Sequence, residues 1–298
     1  MDGSDKVKPG QAFRRVVRLK NGEILNRYWD DALVPRQESW REDVLTAQRS
    51  GRDKLEMYEN LRAGAESGID FSSRWFTDSK NLVTIRTIEM IPPDLNALLY
   101  HLEWAISKAK LMNKDSAAAD FRRKAIKRGE LLDKYCWNKT ENFYTDYNFK
   151  TGKQSNHITP GGLYPFCFIN EHPDYMSFLG GKVAKVIRAK LLQPGGVATT
   201  AFDTGEQWDA PNGWAPLEWM TIWGLDRCGQ KELAADIATR WVKLVEKVYK
   251  QTGKLMEKYN VADINKEAGG GEYPGQDGFG WTNGVLLKLI KKYDLPKE

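Results

Sequence analysis

The feature that most limits what this chain can fold into is the alternation of short and long linkers between its helical segments. Apolar residues at helical spacing predict nine helices, over 38–49, 53–66, 94–112, 116–136, 159–170, 173–191, 215–228, 230–250 and 281–294. The linkers alternate between short ones near 50–52, 112–115, 171–172 and 229 and long ones near 67–93, 137–158, 192–214 and 251–280. Alternate linkers lie at opposite ends of a stack of antiparallel helix pairs, so every long loop is expected on one face.

This pattern predicts an all-α fold, an α/α toroid of helical hairpins with a short N-terminal β-hairpin. Asn21-Gly22 lies between the apolar stretches of VVRLKNGEILNRY (16–28), which favours a hairpin with a type I′ turn. A complete toroid commonly closes with six helical hairpins, so nine helices predict an incomplete ring of about nine of twelve helices. The 298 residues are long enough for one such domain.

Two of the predicted helices show a clear apolar stripe. In 94–112 the stripe consists of Leu95, Leu98, Leu99, Leu102 and Ile106. In 230–250 it consists of Leu233, Ile237, Trp241, Leu244 and Val248. Each stripe predicts one apolar helix face. Pro92-Pro93 blocks the first of these helices upstream, and Asp94 is a candidate N-cap.

Composition excludes several classes of function. The 45 Lys and Arg and 40 Asp and Glu are mixed along the chain, with no basic block that would mark a nucleic-acid partner. No apolar run is long enough to span a membrane. Cys136, Cys167 and Cys228 match no zinc or disulfide spacing and are expected to be buried thiols, and the three histidines have no metal-ligand spacing. We therefore expect no metal site, and the compartment stays open between periplasm and cytoplasm.

The unusual residues fall in the long loops and in the segment before the first helix. These motifs are NRYWDD (26–31), PRQES (35–39), GIDFSSRW (68–75), GEQWDAPNGW (205–214), EKYN (257–260) and GGGEYPGQDGFGW (269–281). Long loops that carry carboxylates and aromatic rings to one face of a helical scaffold predict a binding or active site there.

The residues in these loops favour glycoside hydrolysis, which uses two carboxyl groups flanking the scissile bond. No phosphate loop, nucleophile elbow or Ser-His-Asp arrangement is present. Asp70 is a candidate acid because its apolar neighbours would keep it protonated, although a local capping role fits as well. On pattern alone, Glu257 resembles an exposed glutamate at a helix end. Glu272 follows three glycines, which suits close approach to a ligand or a flexible loop.

Several long motifs, taken in order, resemble the α,α-trehalase family. They are LNRYWDD (25–31), PRQESWRED (35–43), AESGIDFSSRW (65–75), PPDLNALL (92–99), GEQWDAPNGWAP (205–216) and GGGEYPGQDGFGWTNGV (269–285). The resemblance covers the chain from about residue 12 onward. It implies an α/α toroid that hydrolyses trehalose to two glucose molecules with inversion and without a cofactor.

The resemblance also implies roles for individual residues. Asp70 takes the position of the general acid and Glu257 that of the general base. The sugar-binding positions of the family fall on Arg36, Glu38, Gly68, Gln207, Trp208 and Glu272. An inverting mechanism predicts that the two catalytic carboxyl groups lie about 6.5–9.5 Å apart.

The chain departs from the family pattern in three respects. The family's first signature and a later arginine-bearing segment are absent, so only Arg36 remains of the arginines that hold the sugar. Residues 1–298 are therefore expected to be one trehalase-like domain truncated at its N-terminus, with the missing segment as a partner and with weak or no activity alone. Ile69 stands where the family usually has Trp. A catalytically inactive sugar-binding fragment, or a glycosidase for another disaccharide, are the alternatives.

Overall fold

The structure of the protein, a computed structural model, describes residues 4–169, 173–270 and 275–295. Within these ranges the chain forms nine α-helices joined by turns, 3-10 helices and short strands. The helices are α1 (Trp40–Ser50), α2 (Lys54–Glu66), α3 (Pro93–Met112), α4 (Ala118–Tyr135), α5 (Tyr164–Phe168), α6 (Pro173–Lys190), α7 (Ala215–Arg227), α8 (Lys231–Thr252) and α9 (Gly280–Tyr293). Eight of the nine predicted helical segments are confirmed, because apolar periodicity and the linkers around them mark these helices well. The segment predicted over 159–170 is α-helical only at Tyr164–Phe168, after a 3-10 helix at Pro160–Leu163.

The chain divides into two compact units. The described part of the first unit comprises residues 4–70, 75–156 and 168–169. The described part of the second comprises residues 71–74, 157–167, 173–270 and 275–295. The first unit contains the paired helices α1 with α2 and α3 with α4, and in the second α7 packs against α6, α8 and α9.

The first unit begins with a three-stranded antiparallel sheet of β1 (Gln11–Phe13), β2 (Val16–Arg18) and β3 (Ile24–Asn26). The predicted hairpin is confirmed, but its type I′ turn is not. Leu19 N donates to Glu23 O and Gly22 N donates to Leu19 O, both at 2.8 Å, so the loop has three residues rather than two. Gly22 takes a positive φ of 87° and Asn21 does not. Three-residue loops combine a type I turn with one left-handed residue, and glycine fills that position.

The leucine stripe of α3 points mainly to solvent, contrary to what an apolar core face would require. Leu98 is 42% exposed and Leu102 54% exposed, whereas Ala97 and Tyr100 are fully buried. Asn96 sets the orientation, since its side chain donates to Asn26 O and accepts from Asn26 N of strand β3. The helix begins at Pro93, so Asp94 lies in the first turn rather than at the N-cap. The corresponding stripe of α8 is buried at Leu233, Ile237, Trp241 and Leu244, as an apolar face predicts.

Consecutive long loops pair with each other inside each unit. In the first unit β4 (Met90–Ile91) pairs with β7 (Tyr147–Asn148), which also pairs with β8 (Lys153–Gln154), and β5 (Trp137–Asn138) pairs with β6 (Phe143–Tyr144). In the second unit β9 (Leu192–Gln193) pairs with β10 (Gly196–Val197), and β11 (Asn212–Trp214) pairs with β12 (Lys258–Asn260). The pairs β4–β7 and β11–β12 each join two long loops that follow successive helical hairpins. The two long loops of each unit therefore lie at one end of its helices.

The three cysteines are buried free thiols, as their spacing predicted. Burial raises the pKa of Cys228 to about 11. None of the described helices combines the length and apolar character needed to cross a membrane. In the part of the chain that the structure describes, no group of three or more His, Cys, Asp or Glu side chains is arranged to hold a metal ion.

Candidate active site

Asp70 lies in the first unit, just beyond the C-terminal end of α2. Gly68 ends the helix with a positive φ of 73°, and its N–H donates to Ala65 O at 2.9 Å. A side chain at this left-handed position would be strained, which accounts for glycine there. The backbone of Ile69 then accepts a hydrogen bond from Trp75 Nε1 at 3.1 Å. Asp70 follows with its side chain one-third exposed, so its carboxyl group is accessible from solvent.

Arg36, a predicted sugar-binding residue far from Asp70 in the sequence, lies beside it in the structure. Its Nη1 lies 3.9 Å from Asp70 Oδ2, although the guanidinium itself is almost fully buried. Asp43 of α1 holds it in place, because Asp43 accepts from Arg36 Nη2 at 2.7 Å and from the backbone N of Arg36 at 2.8 Å. The structure therefore assembles a buried ion pair that presents one guanidinium nitrogen to the candidate acid.

Asp43 was not predicted from the sequence to support Arg36. It lies within the motif PRQESWRED, seven residues after Arg36, but a carboxylate on an amphipathic helix usually faces solvent. Glu38, by contrast, was predicted to bind sugar and is exposed, with no hydrogen bond or ion pair to any described residue. Its role in sugar binding stays a prediction.

In the second unit, the segment before α7 is built around stacked indoles. Trp208 stacks on Trp214 with ring centroids 3.7 Å apart and planes 6° from parallel, and Trp281 meets Trp214 edge to face. Trp214 Nε1 donates to Gln207 O at 3.1 Å, which connects the two predicted contact residues to the start of the helix. Trp214 is the N-cap of α7 and Pro216 follows in its first turn, so both residues form the start of the helix. The two predicted residues Gln207 and Trp208 thus lie together in one rigid, buried turn.

Asp209, the third residue of the same motif, is fully buried and accepts several hydrogen bonds. Its carboxylate accepts from Ser73 N at 2.9 Å and Ser73 Oγ at 2.8 Å, and also from the hydroxyl groups of Ser72, Thr200 and Thr204. A carboxylate with this many donors is fully satisfied although buried. Trp208 N also donates to Phe71 O at 3.1 Å. Residues 71–73, which directly follow Asp70 in the chain, are therefore anchored by neighbouring residues of the tryptophan-rich turn.

Glu257 is buried, with 4% of its surface exposed, rather than solvated at a helix end as its sequence pattern suggested. The helix ends at Thr252, and Glu257 directly precedes strand β12, so its environment is set by the strand and not by α8. Its N–H donates to Gln276 O at 2.8 Å, and its carbonyl oxygen accepts from Trp281 Nε1 at 3.2 Å. The candidate base is thus held by backbone hydrogen bonds on both sides of its Cα atom.

Lys258, the next residue, was not identified from the sequence. Its side chain is fully buried, and Nζ lies 3.8 Å from Glu257 Oε2. Nζ also donates to Gln207 Oε1 at 2.8 Å and lies 5.4 Å from the centroid of the Trp214 ring. Burial lowers the pKa of Lys258, while the neighbouring Glu257 opposes that change. No local signal could have shown this, because a lysine in a polar stretch is ordinarily exposed and only the pairing of β11 with β12 places Lys258 opposite Trp214.

The predicted site residues therefore fall into two groups. In the first unit Arg36 lies beside Asp70, which follows Gly68 by two residues. In the second unit Lys258 contacts Gln207 and Glu257, and Trp208 stacks on the Trp214 ring that lies near Lys258. Glu272 lies outside the described residues. Each group contains a carboxyl group beside a buried cation, which is an arrangement that can transfer a proton and stabilise developing negative charge.

Comparison with solved structures shows a shared fold. The neutral trehalase Nth1 from Saccharomyces cerevisiae matches 97% of this chain with a TM-score of 0.72 and 22% sequence identity. An uncharacterized conserved protein from Thermus thermophilus matches 86% of it with a TM-score of 0.54 and 15% identity. The GH63 mannosylglycerate hydrolase of the same organism matches 89% with a TM-score of 0.52 and 17% identity. With the helical hairpins described above, these matches confirm the predicted all-α fold of the α/α toroid class.

The chain spans only part of the length of these solved proteins, namely 56% of the yeast trehalase, 60% of the uncharacterized protein and 56% of the hydrolase. A model of one protein family, described as Trehalase, matches residues 8–294, which is nearly the whole sequence. This match agrees with the motif resemblance, which rests on six separate segments of the sequence. The chain belongs to the trehalase family.

Proposed function

We propose that this protein is a glycoside hydrolase that cleaves α,α-trehalose into two glucose molecules with inversion. The observation that carries the proposal is the setting of the two carboxyl groups that the family resemblance selects. Asp70 lies 3.9 Å from the guanidinium of Arg36, and Glu257 lies 3.8 Å from the ammonium of Lys258. Carboxyl groups near fixed cations in aromatic surroundings suit acid and base catalysis on a sugar.

Asp70 acts as the general acid in this proposal. Its proton passes to the glycosidic oxygen as the bond from that oxygen to the anomeric carbon breaks, and one glucose leaves. Arg36 would favour the ionised form of Asp70, but Asp43 already takes up two of its nitrogen donors and balances its charge. The partial exposure of Asp70 lets a bound sugar displace water from the carboxyl group, and loss of water favours the protonated acid.

Glu257 acts as the general base. It accepts a proton from a water molecule while the water oxygen forms a bond to the anomeric carbon on the face opposite the leaving group. One water molecule is consumed and two glucose molecules result. A buried carboxyl group that is held by its backbone on both sides suits this task. The carboxyl separation of about 6.5–9.5 Å that inversion requires stays a prediction.

Gln207 and Trp208 form part of the sugar pocket in this proposal. Aromatic faces pack against the apolar faces of sugar rings, and an amide can hydrogen-bond a hydroxyl group. The stack of Trp208 on Trp214 and the hydrogen bond from Lys258 to Gln207 fix both side chains. Preorganised contacts of this kind lower the entropic cost of holding the disaccharide.

The test is glucose release from trehalose by the purified protein, with the anomers followed by proton NMR in the first minutes. Inversion gives one β-glucose and one α-glucose from each trehalose, because only the attacked glucose changes configuration. We expect Asp70→Asn and Glu257→Gln to lower kcat by at least about 10²-fold, the lower range for loss of general acid or base catalysis. The exposed carboxylates Asp120 and Asp236 provide the matched controls, as Asp120→Asn and Asp236→Asn should keep parental rates.

Three outcomes would contradict the proposal. Turnover of another disaccharide but not of trehalose would overturn the substrate. Release of two α-glucose molecules would overturn inversion. Absence of turnover on every disaccharide tried would show that this chain is not a hydrolase by itself, and binding of trehalose without cleavage would then point to a sugar-binding role.

A further inference from the structure

Lys258 combines full burial with contacts to two residues of the proposed site. A lysine is almost never fully buried unless its charge is compensated. Here the compensation comes from the Gln207 side-chain oxygen at 2.8 Å, the Glu257 carboxylate at 3.8 Å and the Trp214 ring at 5.4 Å. The same residues that the family resemblance assigns to the base and to the pocket wall therefore surround one ammonium group.

The position of Lys258 is determined by the strand pair β11–β12. Trp214 lies opposite Lys258 and Gly213 opposite Tyr259 in the antiparallel register. The next residue, Tyr259, is buried against Trp241, and its hydroxyl accepts a hydrogen bond from Met256 N at 2.8 Å. The strand pair therefore fixes the Lys258 backbone at a position where its side chain is fully buried.

The charge of the Lys258 ammonium acts on the ionisation of the Glu257 carboxyl group. Burial in a region of low dielectric disfavours an ionised carboxylate and raises its pKa, which would leave the base protonated and unable to accept a proton. An opposite charge within about 4–6 Å acts the other way. At 3.8 Å the Lys258 ammonium lies within that distance, in a region where water screens little.

Four other charged groups on the elements around Glu257 have contacts of their own. Asp209 accepts from Ser73 and its neighbours, and Glu218 of α7 accepts from Val197 N. Asp277, in the loop that bonds to Glu257 N, is paired with the exposed Lys254 at 2.5 Å. Lys288 of α9 lies over the ring of Trp219. Among these groups in the described part of the chain, Lys258 is the one whose charge contacts the Glu257 carboxylate.

We propose that Lys258 is a positioning residue for the reaction, whose buried ammonium keeps the Glu257 carboxylate ionised and fixes the Gln207 side chain. The proposal rests on the proposed function, in which Glu257 is the general base. A single buried cation then links the protonation state of the base to the geometry of the pocket wall. Neutralising that cation should change both the pH range of catalysis and the binding of the sugar.

The first test compares Lys258→Met, which removes the charge but keeps most of the length, with Lys258→Arg, which keeps the charge. In Lys258→Met the acidic limb of the kcat/KM profile for trehalose should move up by roughly one to three pH units, the usual effect of one neighbouring charge. KM should rise by roughly 5-fold, because Gln207 loses a hydrogen bond. Lys258→Arg should keep the acidic limb near its parental position. The exposed Lys254, in the variant Lys254→Met, is the matched control and should keep the parental profile.

The second test needs no variant of Lys258 and no catalytic activity. The Glu257 carboxyl carbon is followed by carbon-13 NMR across a pH titration and assigned with Glu257→Gln. We expect Glu257 to titrate at or below the ordinary glutamate pKa of about 4.3, despite its burial. This measurement can still be made if Lys258→Met does not fold. It can also be made if the parent does not cleave trehalose, and a lack of cleavage would contradict only the proposed function.

Two results would overturn the role of Lys258. One is a folded Lys258→Met protein that loses rate but keeps the parental acidic limb, since that would show a purely structural role. The other is a Glu257 carboxyl group that titrates well above the ordinary value in the parent, since the ammonium would then fail to keep it ionised.

Discussion

The Arg36 guanidinium donates both its Nε and its Nη2 hydrogens to Asp43 and holds its Nη1 atom 3.9 Å from the Asp70 carboxylate. Arg36 and Asp43 are both almost fully buried, whereas Asp70 is one-third exposed. Nε and Nη2 of Arg36 are thus bound by Asp43 inside the first unit, and Nη1 faces the candidate acid. Because Asp43 is the main partner of the buried Arg36 charge, the first prediction concerns the removal of Asp43.

Replacing Asp43 by Ala should destabilise the protein strongly. The variant leaves the buried charge of Arg36 without its main partner, and removing one partner of a buried pair costs about 3–5 kcal/mol of the free energy of unfolding. Urea denaturation measures the change. Asp31→Ala is the control, because Asp31 pairs with Arg14 on the surface, where such pairs contribute about 0–1 kcal/mol. Equal losses in the two variants would contradict a special role for the buried pair.

Replacing Asp209 by Ala should lower kcat more than it raises KM. The change leaves the N–H and hydroxyl donors of Ser72 and Ser73 without their acceptor, so the segment that follows Asp70 loses its anchor. A displacement of about 1 Å at a catalytic group can cost about 10²-fold in rate. Steady-state kinetics on trehalose measures the effect, with the neighbouring exposed Asp203 changed to Asn as control. A parental kcat in Asp209→Ala would show that the anchor is not needed.

Replacing Glu218 by Gln should stabilise the protein at neutral pH and have little effect near pH 4. Glu218 lies in α7 and is fully buried. Val197 N donates a hydrogen bond to its Oε1 atom at 2.8 Å, whereas Oε2 has no hydrogen-bond partner among the described residues. Burial raises its pKa well above the ordinary value.

The sign of this pH dependence follows from proton uptake on folding. Between the unfolded pKa of about 4.3 and the raised folded pKa, the folded protein binds a proton that the unfolded chain has released. Stability therefore falls by about 1.4 kcal/mol for each pH unit in that window, and the loss is complete once the pH exceeds the folded pKa. Thermal unfolding from pH 4 to 8 should show this slope in the parent and its absence in Glu218→Gln, with the exposed Glu232→Gln as control. Parallel curves for parent and Glu218→Gln would contradict the prediction.

Replacing Leu102 by Ala should change the free energy of unfolding by no more than about 0.5 kcal/mol, because the side chain is 54% exposed. Leu132, on the adjacent helix α4, is fully buried, so Leu132→Ala should cost about 2–5 kcal/mol. Urea denaturation of the two variants compares the same chemical change at two depths. A large loss for Leu102→Ala would mean that the stripe of α3 is covered in solution.

The sequence by itself determined the helices, their pairing into hairpins, the family and the candidate catalytic residues. Apolar periodicity and linker length are local properties, so α1 to α9 could be placed from short windows of sequence. The motifs around Asp70 and Gln207 were long enough to identify the family that the match over residues 8–294 confirms. The turn type was predicted wrongly, since Asn21-Gly22 is compatible with two loop lengths and only the register of the β2–β3 hairpin selects one.

Only the tertiary structure decided which of these residues are buried and what they contact. Glu257 and Lys258 look like exposed residues in sequence, but both are buried, and the pairing of β12 with β11 places Lys258 between Glu257 and Gln207. The leucines of α3 look like a core stripe, but Asn96 and Tyr100 turn the opposite side of the helix inward. In each case the environment comes from a segment far away in the chain. Burial and charge compensation are properties of such contacts, so they cannot be read from the local pattern of residues.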